Sequence, residues 1–123
     1  MKVERLDHLN LTVADIDRSC EFYTRGLGME KVAWGMGRAA VRFGDSKINL
    51  DSAEMMKLPE GETRAPVHIC LITQSPLPEI IAHLDACNVP VVMGPGPRDG
   101  ATGTIQSVYI RDPDNNSVEI SCY

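Results

Sequence analysis

With 123 residues, 43% of them hydrophobic, the chain has enough apolar surface for one core but not for two independent ones. Twelve Lys and Arg stand against 17 Asp and Glu, a formal charge of -5 with no basic run, which argues against polyanion binding and leaves nucleic acid an unexpected partner. The longest apolar stretches, such as Ile69–Ile72, are far too short for a membrane span and the N-terminus shows no signal pattern, so a cytoplasmic protein without membrane contact is expected.

Leu6–Val13 alternates as a strand and carries His8. Asp15 is placed to cap a helix in which Ile16, Cys20, Tyr23 and Leu27 recur at helical spacing, ended by Gly26 and Gly28. A strand over Met29–Ala33 follows, then a hairpin in which Ala39–Phe43 turns at Gly44-Asp45-Ser46 into Lys47–Leu50. From Asp51 to Ala65 the chain is polar, with Pro59, Gly61 and two methionines, and reads as a linker or short helix.

The pattern then starts again. Pro66–Thr73 reads as a strand with His68 near its start; Ser75 is expected at an N-cap with Pro76 at the first helical position; and Leu77, Ile80, Ile81, Leu84 and Cys87 form an apolar stripe ended by Asn88. A strand over Val89–Met93 follows, with Pro90 indicating an edge or a start, and then a hairpin from Ser107–Arg111 through residues 112–116 into Ser117–Ser121. The glycine-rich run 94–103 lacks Gly-Lys-Ser/Thr and a following helix, so it is not a phosphate loop and reads as a mobile flap. The four cysteines, 20, 70, 87 and 122, have neither C-x-x-C spacing nor disulfide-scaffold density and are expected as buried thiols.

The element order is therefore βαβββ twice over, an α+β fold of two modules, about 1–51 and 66–123 with a linker at about 52–65. Neither half is large enough to stand alone, so 1–123 is expected as a single domain. The repeat makes His8 the counterpart of His68 and Asn49 the counterpart of Glu119, each of the latter in the last strand of its module. If the modules pack about a pseudo-twofold axis, these four residues converge.

Two imidazoles and a carboxylate suit one Fe, Mn, Ni, Co or Zn ion and leave positions open for water or substrate. His8, His68 and Glu119 are the expected ligands. Glu119 also lies between Val118 and Ile120, where an uncompensated carboxylate is disfavoured unless a cation or an open cavity wall relieves it. Arg98 is placed to pair with an anionic substrate group or to be a solvated loop arginine. Trp34, Met36 and Arg38 can line a pocket, although core packing explains the first two equally well. Asn49, Arg98, Trp34 and Tyr109 complete the candidate substrate pocket. His83, in mid-helix, lies outside the site, in a plain surface or packing role.

At Leu6-Asp7-His8 with Val13, Phe22-Tyr23, Leu27-Gly28-Met29, and Arg111-Asp112-Pro113-Asp114-Asn115 leading to Val118-Glu119-Ile120, the sequence resembles the vicinal-oxygen-chelate superfamily of glyoxalases, bleomycin-resistance proteins and extradiol dioxygenases. Phe43-Gly44-Asp45 with Lys47–Leu50, Ile69–Thr73 and the 97–103 run is similar to the glyoxalase-domain-containing-protein-5 group and to bacterial virulence-associated glyoxalase-like proteins. The resemblance implies an open cup-shaped mixed sheet with helices outside, a homodimer, and His8, His68 and Glu119 at the metal-ligand positions. It further implies a metal-dependent lyase or isomerase acting on a small oxygen-rich molecule through a stabilised oxyanion or enediolate, with Glu119 as proton shuttle.

Typical glyoxalase I has a carboxylate where this chain has Asn49, a poor base, which counts against lactoylglutathione lyase activity. A ring-cleaving dioxygenase usually adds a further histidine, for which His83 is badly placed. A non-catalytic binding or resistance protein is the rival from a different class.

Overall fold

In the computed structural model, residues 1–56 and 65–123 are described, and they fall into two compact units, Met1–Arg64 and Ala65–Tyr123. The first unit contains β1 (His8–Val13), α1 (Ile16–Glu21), β2 (Glu30–Trp34), β3 (Arg38–Phe43), β4 (Ser46–Ser52) and one helical turn, α2 (Ala53–Met56). The second contains β5 (His68–Ile72), α3 (Leu77–Ala86), β6 (Met93–Gly100), β7 (Gly103–Arg111) and β8 (Ser117–Cys122). Each unit is a βαβββ module, and the protein is an α+β fold of two such modules. Most of the expected 52–65 linker lies outside the described residues.

The two mixed sheets have the same topology, β1-β4-β3-β2 and β5-β8-β7-β6. In each, the first strand runs parallel to the last and the remaining pairs are antiparallel. The parallel pair on one side of each sheet is therefore made of the module's two ends in sequence, with the helix opening the crossover that a parallel pair needs. Alternation then gives each sheet a helix-covered face and a second face. In the first unit, Leu11, Val13, Val41, Ile48 and Leu50 are buried with Cys20 and Tyr23 of the helical segment. In the second, Val108, Ile110, Val118 and Ile120 are buried with Ile80 and Leu84 of α3.

Asp15 caps α1 as expected, its carboxylate accepting the Arg18 N–H at 3.0 Å. The helical segment widens into a π-turn over Phe22–Gly26 and ends at Gly28, whose φ of 67° is the left-handed conformation of a glycine helix stop. The second helix starts one residue later than expected. Pro76 itself is the extended N-cap and Pro78 falls in the first turn, where a missing N–H breaks no bond. Asn88 takes the left-handed position after the helix, with φ of 57°.

The larger correction concerns residues 89–103. The strand expected at Val89–Met93 begins only at Met93, and most of the run read as a flap is strand β6. Its prolines are tolerated because β6 is an edge strand paired on one side. Its glycines allow close approach: at Gly94, with φ of 93°, a Cβ would stand 2.5 Å from the Ser107 carbonyl oxygen. Backbone proximity, rather than looseness, explains this composition.

Candidate functional site

The parallel register of β5 and β8 sets His68 opposite Ser117 and Cys70 opposite Glu119. His68 and Glu119 are thus diagonal neighbours on one face, and His68 Nε2 lies 2.9 Å from Glu119 Oε2. Antiparallel β7 places Tyr109 directly opposite Glu119 on the other side. The Tyr109 ring stands edge-on to the His68 ring, 5.7 Å between centroids. Arg98 of β6 donates its Nε–H to the Tyr109 hydroxyl at 3.1 Å. Four strands thereby contribute one residue each to a continuous polar row of Arg98, Tyr109, Glu119 and His68.

Glu119 is buried and His68 half-exposed, their side chains 8% and 54% accessible. Burial pushes the Glu119 carboxyl upward, but hydrogen bonds with Ser107, His68 and Tyr109 together with the His68 charge outweigh it, and the group is held below the ordinary carboxylate value. Behind it, Ser107 and Ser121 share a 2.8 Å hydroxyl bond, and Ser121 also reaches Glu119 Oε1 at 3.5 Å. Burial and the adjacent Glu119 raise the Tyr109 phenol, which stays protonated as a donor to the carboxylate. Burial and the Glu119 charge likewise raise the thiol of Cys70, which faces Ser121 at 3.6 Å.

The first unit repeats this register with different chemistry. His8 pairs with Lys47 and Asn10 with Asn49, so His8 and Asn49 occupy the diagonal that His68 and Glu119 hold in the second. The His8 Nδ1 is 2.8 Å from Asp7 Oδ1, and this bond holds the Asp7 carboxyl below its ordinary value. A carboxylate on Nδ1 fixes the tautomer that leaves the Nε2 lone pair available, the usual support for a metal-ligating histidine. Asn49 donates to Asn10 Oδ1 at 3.1 Å and Asn10 donates to Asp51 at 2.8 Å. This relay leaves Asn49 Oδ1 buried and without a hydrogen-bond partner among the described residues.

Each unit by itself offers donors of the kind a divalent ion accepts: in the first an oriented imidazole and a neutral amide oxygen, in the second an imidazole beside an ionised carboxylate. Within neither unit do three His, Cys, Asp or Glu side chains gather around one point among the described residues. The other expected pocket residues are distributed differently. Trp34 ends the edge strand β2 in register with Arg38, and Met36 is 88% exposed in the intervening turn, so it neither packs in the core nor joins the His8 row. His83 is on the surface of α3, 3.7 Å from Cys87 Sγ.

The cysteines correct the expectation of four buried thiols. Cys20 is buried, Cys87 and Cys122 are half-buried, and Cys70 is exposed on the candidate site's face. Alternation with Ile69 and Leu71 puts it there. Asp7, Ser107, Ser121 and Cys70 escaped sequence reasoning, although the last three lie two residues from Tyr109, Glu119 and His68 in the same strands and share their faces for that reason.

Residues 5–120 match the glyoxalase/bleomycin resistance protein/dioxygenase superfamily. The chain belongs to that superfamily. Among superfamily relatives, it is 42% identical to the virulence protein STM3117 of Salmonella typhimurium over 100% of this chain and 87% of that protein. It is 41% identical to the glyoxalase domain-containing protein RDO1 of Mycosarcoma maydis over 100% of this chain and 70% of that one. The crystal structure of the Salmonella protein superposes with a TM-score of 0.91, covering 100% of this chain and 99% of that one. A lactoylglutathione lyase from Agrobacterium tumefaciens shares the fold at a TM-score of 0.78 and 22% identity, over 99% and 96% of the two chains.

Proposed function

We propose that this superfamily member is a divalent-metal-dependent lyase or isomerase of the glyoxalase type, acting on a small molecule with vicinal oxygens. His8, His68 and Glu119 are its metal ligands and Glu119 its proton-transferring group. The observation that carries this reading is the 2.9 Å His68–Glu119 contact, in which a buried carboxylate is kept ionised next to a half-exposed imidazole. Such a pair is costly as a purely structural feature and useful where a cation completes it.

A divalent ion there supplies Lewis-acid polarisation of the substrate oxygens. The chain's own residues do the rest. Glu119 Oε2, the oxygen that faces the half-exposed His68, receives a proton from substrate and returns it, while Oε1 is held by Ser121. Tyr109 and Ser107 keep the carboxylate in place, and the Asp7–His8 bond orients the second imidazole. Asn49 cannot exchange a proton, so a single carboxylate serves the reaction, unlike the two-carboxylate arrangement of typical glyoxalase I. The cytoplasm and a homodimer are the setting we propose; among the described residues no helix is long and apolar enough to cross a membrane.

Elemental analysis of the purified chain is expected to show about one transition-metal ion per chain, with loss in His68→Ala and in Glu119→Gln. Turnover of the methylglyoxal–thiol hemithioacetal, or of other vicinal-oxygen compounds in a screen, then identifies the reaction. A native chain that is metal-free and cannot be reconstituted overturns the metal reading and favours a binding module.

A further inference from the structure

Arg98 is not among the metal ligands proposed above, yet this side chain is held firmly. Its Nε donates to the Tyr109 hydroxyl at 3.1 Å, its Nη1 donates to the Pro97 carbonyl at 2.7 Å, and its guanidinium carbon lies 5.4 Å from the Tyr109 ring centroid. Two hydrogen bonds and a cation–π contact fix the plane of the group. Nη2 has no hydrogen-bond partner among the described residues, and none of the described carboxylates is within ion-pair distance of the guanidinium. Glu119 spends its charge on His68, not on Arg98.

The charge inventory of the unit makes this cation stand out. Residues 65–123 contain no lysine and two arginines, against six Asp and Glu. Arg111 is exposed at the end of β7 and donates to the Asn115 carbonyl. Arg98 is thus the permanent cation of the polar row, half-buried, preset in orientation and not neutralised. A guanidinium in that condition recognises a planar anion, and a carboxylate matches its remaining N–H groups in pairs. A phosphate dianion calls for more positive charge than one arginine in an acidic unit provides.

We propose that the substrate is a carboxylic acid: its vicinal oxygens meet at His68 and Glu119, and a separate carboxylate is received by Arg98. This rests on the metal-dependent reading above and names its substrate class. Both ends contact one aromatic ring, His68 at 5.7 Å and the guanidinium at 5.4 Å from the Tyr109 centroid, which puts them within reach of one short-chain acid. Tyr109 is the positioning residue. Its oxygen accepts from Arg98 and its proton goes to Glu119, so one hydroxyl ties the specificity group to the proton-transferring group.

The test uses the full chain loaded with Zn(II) and two hydroxamates of the same chelating head, acetohydroxamate and its carboxylate-bearing analogue succinic monohydroxamate. Titration calorimetry is expected to show the carboxylate probe binding about tenfold more tightly, the effect of one charge-assisted contact. Arg98→Gln should bring the ratio to about one. Tyr109→Phe should lower it partway with zinc retained, and should shift the Arg98 Nε–H resonance, which a merely structural tyrosine would not. Equal affinities in the native chain, or a ratio unchanged in Arg98→Gln, overturn the proposal.

If the chain retains no zinc and binds neither hydroxamate, the metal reading fails by itself, and Arg98 is then judged with succinate. A saturable shift of its Nε–H resonance beyond that of sodium chloride at equal ionic strength supports carboxylate recognition; no such shift overturns it.

Discussion

Glu119 concentrates the chemistry of the second unit, and its environment makes a pH prediction. Hydrogen bonds with Ser107, His68 and Tyr109 hold its carboxyl below the ordinary value despite burial. A carboxyl lowered in the folded state contributes stability that is complete above its ordinary pKa of 4.5 and is lost as pH falls through the folded value. In metal-free protein, Glu119→Gln should therefore cost roughly 1–3 kcal/mol at pH 7, the scale of a disrupted buried charged network. The difference from the native chain should shrink steadily below pH 4.5, as followed by urea denaturation at each pH. A cost independent of pH would mean that packing, not charge, holds this residue.

At this scale the sequence is legible where polarity interrupts an apolar alternation. His68 and Glu119 each break such a run, and so announce a face. Asp7 and Ser107 give no such sign, because what makes them relevant is a neighbour's ring nitrogen or a cross-strand hydroxyl, known only once register is fixed.

Among the elements, the turn between β7 and β8 decides how His68 meets Glu119. Asp112 is buried and accepts from the Asp114 N–H at 2.9 Å, the Asn116 N–H at 2.8 Å and the Asn116 side-chain amide at 2.7 Å. Asn116 Oδ1 in turn accepts the Val67 N–H at 2.9 Å, immediately before His68. The turn thus sets the parallel register of β5 on β8. Asp112→Ala leaves three donors unsatisfied and should destabilise the protein by roughly 2–4 kcal/mol in thermal denaturation. It should also weaken metal uptake, although the Asp112 carboxylate bonds to Asp114 and Asn116 and not to His68 or Glu119. Full metal affinity in this variant would separate the turn from the site.

This turn was legible as a turn from Asp112, Pro113 and Asn115, and both central strands from their alternation. β6 was not. Glycine and proline signal a loop in isolation, and only the pairing of 93–100 with β7 reveals that the glycines admit a close partner backbone while the prolines sit on an edge. The late start of α3 has the same character: Ser75 and Pro76 both suit a helix start, and the extended backbone of Pro76 decides between them.

For the whole molecule, the consequence of the proposed ligand set is thermodynamic coupling. Each unit has its own sheet and helix, and the three ligands are divided between the units, His8 in one and His68 with Glu119 in the other. An ion that needs both binds the folded protein and not the separated donors, so it stabilises by mass action. At a free-metal concentration about 100 times Kd the gain is about 2.7 kcal/mol, which raises Tm by roughly 10 °C for a chain of this size. His8→Ala leaves the His68–Glu119 pair in place but removes the first unit's donor. It should abolish that rise in a metal titration followed by calorimetry, with little change in the metal-free Tm, because His8 is half-exposed and its bond to Asp7 lies at the surface. Were the metal-dependent rise to survive His8→Ala in full, the second unit would be holding the ion unaided, and the first unit's histidine would have no part in the centre.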